Sequence, residues 1–153
     1  MTDSTASRRA MLIASASAGA ATLAAAVPAR AAQAPGPVHV VYHITQGNAQ
    51  ASRAMSNVRN HLAADPTAKI VVVGNGAGID FMLNGAKDDH GAEYAGNIGD
   101  LASRGVSFRV CNNTLTNRKI PKDRVLLDAT IVPSGVAEAA NLQYREGYAY
   151  ICP

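Results

Sequence analysis

Residues 68–74, AKIVVVG, are the stretch on which the fold turns. Ile70, Val71, Val72 and Val73 are four consecutive β-branched residues with no polar alternation. A strand built from them buries both faces, as strands do in a parallel sheet covered by helices. Working outward from it, the flanking patterns alternate between strand and helix. Upstream, residues 49–64 carry small or apolar side chains at Ala51, Ala54, Met55, Val58 and Leu62, the spacing of an amphipathic helix. Asp65-Pro66 stops it, because proline disfavours helical geometry in the residue before it. Before that helix, the β-branched run 38–44 (VHVVYHI) predicts a first strand.

Downstream, residues 76–83 predict a turn and short helix, and Asp88-Asp89-His90-Gly91 a polar loop. Residues 94–103 predict a helix closed by Gly105, and 106–110 a third strand. Residues 114–127 are partly helical with a break at Pro121, and 129–132 predict a fourth strand. Ser134, with Glu138 soon after it, starts a last helix that Gly147 ends. Residues 148–152 close the chain as a fifth strand. The expected architecture is a three-layer α/β/α sandwich with a mostly parallel five-stranded sheet, spanning residues 38–153.

The N-terminal residues read as an address. Ser7-Arg8-Arg9-Ala10-Met11-Leu12 places a twin-arginine pair before an alanine-rich, weakly apolar run that ends near Val27. Ala29-Arg30-Ala31 offers small residues to a signal peptidase, so residues 1–31 are expected to be a Tat signal peptide, with an ordinary Sec signal or an uncleaved anchor as alternatives. Residues 32–37 are expected to be a flexible linker. The expected location is the periplasm, with no membrane association after cleavage. The formal charge of +3 is concentrated here: Arg8, Arg9 and Arg30 face only Asp3, leaving 11 basic and 10 acidic residues in the rest. No basic cluster of the kind that binds nucleic acid remains.

In an open parallel sheet, ligands bind beyond the carboxyl ends of the strands. The residues there are His43 after strand one, Asn75 and Gly76 after strand two, Cys111, Asn112, Asn113 and Thr114 after strand three, and Ser134 after strand four. Cys111 is the sharpest of them. A sulfur near a helix N-terminus is stabilised as thiolate, whereas a cysteine ending a core strand is equally good packing. Cys111 and Cys152 are the two cysteines of the chain, and in an oxidising compartment they could pair. His43 is a candidate base or hydrogen-bond partner for Cys111 across adjacent strand ends. His39 and His43 share a face but lie about 13 Å apart by strand rise, too far to ligate one metal. No histidine or cysteine spacing matches a zinc motif. Gly74-Asn75-Gly76-Ala77-Gly78 lacks the G-x-G-x-x-G register of a dinucleotide site. Neither metal nor cofactor is expected.

The segment Gly105-Val106-Ser107-Phe108-Arg109-Val110-Cys111, a glycine turn, an apolar strand and a terminal cysteine, resembles the cysteine segment of the DsrE/DsrF-like family. Val41–Thr45, Asn57–Asn60, Ile131–Glu138, Leu142-Gln143 and Glu146–Ile151 are similar to the stand-alone branch of the same family. The resemblance implies an α/β sandwich that forms oligomers, in which Cys111 accepts persulfide sulfur and passes it to a partner protein or small thiol. On that reading Cys111 is expected to be the nucleophile, oriented by His43 and Asn75 from the neighbouring strand ends, with the amides around Asn112–Thr114 stabilising the anion. Two positions depart from the pattern: Asn75, where histidine is common, and Cys152, where lysine is commoner. The alternative is a non-catalytic module of the same fold that binds a small ligand or acts as a scaffold, with Cys111 buried or bonded to Cys152.

Overall fold

The computed structural model describes residues 36–153. The expected leader, residues 1–31, and most of the expected linker lie outside the described residues. The elements follow in the order β1 (His39–Ile44), α1 (Asn48–Ala64), β2 (Lys69–Gly74), a 3-10 helix (Gly76–Met82), α2 (Tyr94–Ser103), β3 (Ser107–Cys111), α3 (Asn112–Asn117), a short 3-10 turn (Lys122–Arg124), β4 (Ala129–Val132), α4 (Gly135–Glu146) and β5 (Ala149–Ile151). The sheet order is β4-β3-β2-β1-β5, and every pair is parallel. The all-parallel arrangement sharpens the expected "mostly parallel" sheet.

This order explains where the helices lie. The chain steps from β1 to β4 in one direction across the sheet, so right-handed crossovers carry α1, α2 and α3 over one face. β5 then returns to the far side of β1, which sends α4 back across the opposite face. The first face holds the main core. Val40, Tyr42 and Ile44 of β1, Ile70 and Val72 of β2, and Phe108 and Val110 of β3 pack there against Met55, Phe81, Tyr94, Ile98 and Leu115. The second face holds a smaller cluster of Val41, Val71 and Val73 under Leu142 of α4, with Tyr148 at its edge. β2, in the middle, is buried on both faces, as its unbroken β-branched run requires.

Local chemistry sets the element ends. Ser134 caps α4, accepting the Ala137 N–H at 3.4 Å, and Gly147 closes the helix in the left-handed conformation. Residues 112–127 differ from the expectation of a helix starting near Thr114. α3 begins immediately after the strand, and Pro121 precedes only a single 3-10 turn. Two of the histidines take packing roles: His39 lies tilted against Tyr148 with ring centroids 5.0 Å apart, and His61 bonds the Tyr42 hydroxyl at 3.1 Å. Among the described residues, no helix is long and apolar enough to cross a membrane.

The glycine-rich segment after β2 is a packing device. A Cβ on Gly78 would stand 2.0 Å from the Ile44 carbonyl oxygen and 2.7 Å from the Thr45 nitrogen, and backbone atoms there cannot yield. Gly78→Ala is therefore expected to cost about 3 kcal/mol, a fall in Tm of about 10 °C or more. Thermal unfolding followed by circular dichroism checks this, and a Tm within about 2 °C of wild type refutes the close approach.

Candidate functional site

The helices after β1, β2 and β3 leave toward one face, while α4, after β4, leaves toward the other. The crossovers therefore diverge at the carboxyl ends of β3 and β4, the position where ligands bind in open parallel sheets. Cys111 is the last residue of β3, paired in register with Val132, the last residue of β4. The cysteine also stands at the N-cap of α3, so strand becomes helix at the thiol itself. Ser134 and Gly135 start α4 from the neighbouring strand end. Two helix starts thus meet at one sulfur.

Gly135 makes the meeting possible. A side chain built on it would lie 3.1 Å from the Cβ atoms of Asn75 and Cys111 and 3.1 Å from the Gly74 carbonyl oxygen. Asn75 and Cys111 therefore flank the same point from β2 and β3. Arg109 of β3 forms an ion pair with Glu138, in the first turn of α4, and both side chains are largely buried. That pair ties the start of α4 to the strand carrying the thiol.

Cys111 is 4% exposed. Burial pushes its thiol up, but the Gly135 amide, the Thr114 hydroxyl and amide and the Asn113 amide outweigh it, and the net pKa is lowered from 9.0. None of these contacts is a hydrogen bond of normal length and angle, and α3 has no cap bond to the sulfur, so the donors act on the thiol as nearby dipoles. Thr114 is itself buried, and its Oγ1 accepts the Gly76 N–H at 2.9 Å. Gly76 takes φ +60°, a conformation that suits glycine.

The expected site residues divide accordingly. Cys111, Asn113, Thr114, Gly76 and Asn75 converge, Asn113 through its backbone only, since its side chain is exposed. Ser134 serves as a helix cap. Asn112 is half-buried, and its Oδ1 is buried without a hydrogen-bond partner among the described residues. His43 requires a correction. β2 runs between β1 and β3, so the two strand ends are not adjacent. The imidazole Nε2 donates to Asn75 Oδ1 at 2.7 Å, which leaves Nδ1 to accept the Tyr150 hydroxyl at 2.8 Å. His43 thus reaches the thiol's surroundings only through Asn75.

The Cys111–Cys152 pairing is also corrected. Both thiols are free, and β3 and β5 are three inter-strand steps apart. That is about 14 Å at the usual sheet spacing, well beyond disulfide reach. Cys152 sits instead beside Gln50, a buried residue whose Oε1 accepts the Thr45 and Gln46 N–H groups at 2.9 and 2.8 Å. The Gln50 amide donates to Cys152 Sγ at 3.5 Å and to the Pro153 carbonyl at 3.1 Å. Gln50 and Tyr150 are not among the residues that the sequence points to, while Gly135, just past strand four, is marked there only by position. A buried glutamine on the otherwise small and apolar face of α1 was the available signal for the first.

Fold and site together define an all-parallel α/β protein with a thiol cradled at its topological switch point. The DsrE/DsrF-like family model matches residues 38–153, and the chain belongs to that family. It is similar to a protein of unknown function from Methanobacterium thermoautotrophicum, MTH1491, at 33% identity and TM-score 0.67, covering 76% of this chain and 99% of that one. The ychN protein from E. coli shares the fold at 12% identity and TM-score 0.58, covering 76% of this chain and 97% of that one. No curated protein matches.

Two outcomes test the cradle. Gly135→Ala drives α4 away from the sulfur, so the pH midpoint for alkylation of Cys111 is expected to rise. An unchanged midpoint removes the Gly135 amide from the set of donors. The depressed thiol pKa also links to stability. Because the folded value lies below 9.0, the contribution is complete above the unfolded value and is lost as pH falls through the folded one. Relative to Cys111→Ser, the wild type is expected to gain stability through that window and level off above it. Parallel denaturant titrations over the pH range measure the difference, and a flat difference contradicts the lowered pKa.

Proposed function

We propose that this protein carries sulfur on Cys111. The thiolate attacks the outer sulfur of a donor persulfide, and the donor's S–S bond breaks as its own thiolate leaves. The sulfane sulfur stays on Cys111 as a new persulfide, with no net oxidation or reduction. Attack by an acceptor thiolate on that outer sulfur reverses the step and regenerates Cys111. The single observation that carries this reading is the convergence of two helix starts and the Thr114 hydroxyl on one cysteine, which lowers its pKa despite burial. The unpaired Asn112 Oδ1 supports it, since a buried acceptor left open costs about 1–3 kcal/mol and an incoming donor group would complete it. The proposal extends to a homo-oligomer exported by the twin-arginine route, meeting a donor or acceptor protein or a small thiol in the periplasm.

One observation favours a second reading. Cys111 is 4% exposed, as in a non-catalytic binding or scaffold module whose cysteine is packing. Thiol titration of the native protein separates the two. A working Cys111 reacts without denaturation, whereas a packing cysteine reacts only after unfolding.

Incubation with polysulfide or glutathione persulfide, followed by intact and peptide mass spectrometry, is expected to add sulfur to Cys111. The adduct persists in Cys152→Ser and disappears in Cys111→Ser. Absence of the adduct where an established carrier loads in parallel rejects sulfur carriage.

A further inference from the structure

The thiol's surroundings continue one layer deeper, into a clamp built by α3 on Gly76. Thr114 and the residue four positions on, Arg118, lie on the same side of the helix, and the Arg118 N–H donates to the Thr114 carbonyl at 3.0 Å. Between them they take both backbone polar groups of Gly76. Its N–H donates to Thr114 Oγ1 at 2.9 Å, and its carbonyl accepts from Arg118 Nη1 at 3.1 Å. The same guanidinium nitrogen is anchored on Asp80 Oδ1 at 2.6 Å. Asp80 belongs to the 3-10 helix that Gly76 begins, so the clamp closes on a single turn of backbone.

The consequence is positional. Because Oγ1 accepts from Gly76, Thr114 is fixed in the first turn of α3, the helix that Cys111 caps, with its hydroxyl among the groups that lower the thiol's pKa. Gly76 sits at φ +60°, and Arg118 holds its carbonyl.

We infer that Arg118 is a positioning residue for the Cys111 thiolate, acting through Gly76 and the Thr114 hydroxyl rather than by touching the sulfur. Its charge is committed to Asp80, and its reach is to the carbonyl of Gly76. The other charged or titratable groups around the thiol are Arg109 from β3, paired with Glu138 from α4, and His43 from β1, which faces Asn75. None of them contacts the clamp through a hydrogen bond or ion pair among the described residues. The inference deepens the reading of Cys111 as a working thiol. It is measured with no sulfur donor present, so failure of sulfur transfer and failure of the clamp are separate results.

The experiment is the pH dependence of alkylation of Cys111 by iodoacetamide in a Cys152→Ser background, which removes the exposed second thiol. Thr114→Val is expected to raise the midpoint by about one pH unit, and Arg118→Met by about half a unit. Arg118→Lys, which keeps the charge and some donor capacity, recovers part of the Arg118→Met shift. Combining Thr114→Val with Arg118→Met gives the midpoint of Thr114→Val alone, because the residue through which Arg118 acts is already gone. An unmoved midpoint in Arg118→Met overturns the inference. So does an Arg118→Met shift that survives in the Thr114→Val background, since the guanidinium would then act by its own charge. If Arg118→Met does not fold, Asp80→Asn loosens the same anchor. It is expected to move the midpoint in the same direction, and an unmoved midpoint there is equally decisive.

Discussion

Everything at the site depends on a helix start being allowed within van der Waals reach of Cys111. Gly135 permits this because it has no side chain. A Cβ there would press on two side chains and a carbonyl oxygen at 3.1 Å. With that space open, the amide of Gly135 enters from α4 while those of Asn113 and Thr114 enter from α3. Burial alone would raise a thiol's pKa, and only converging donors reverse the sign. The Gly135 and Thr114 amides belong to first turns, whose N–H groups have no partner inside the helix, whereas the Asn113 amide also donates to the Pro133 carbonyl at 3.3 Å.

The location follows from the topology. β3 and β4 are neighbours, yet the helices that follow them depart to opposite faces of the sheet. The thiol ends β3 at that divergence, beside the last residue of β4. The two faces are unequally covered: α1, α2 and α3 with the 3-10 helix shield one, and α4 alone the other. The ion pair between Arg109 and Glu138 helps to hold that single helix in place, and with it one of the thiolate's donors.

The second support is the glycine segment after β2. Gly78 lies against the end of β1 so closely that no side chain fits, and Gly76 offers its backbone to α3. Glycines whose register does not fit a dinucleotide site serve here to let backbone approach backbone. Asn75, just before Gly76, links the thiol's side of the site to His43 and Tyr150. The imidazole belongs to the site through that amide alone.

The strands were legible in the sequence because apolar, β-branched runs cannot be left in water, whatever the order of pairing. The helix stops at Pro66 and Gly147, the cap at Ser134 and the strand-end position of Cys111 were legible for the same local reasons. Strand order was not, since the parallel pairings join residues far apart in the chain and leave no local mark. His43 was therefore set beside Cys111 when β2 lies between them, and Cys152 was offered as a disulfide partner across a distance that forbids it. By itself the sequence determined which segments had to be buried and which polar residues would end them. The tertiary structure alone decided which of those ends meet at the sulfur, because only the direction of each crossover brings two helix starts to one side chain.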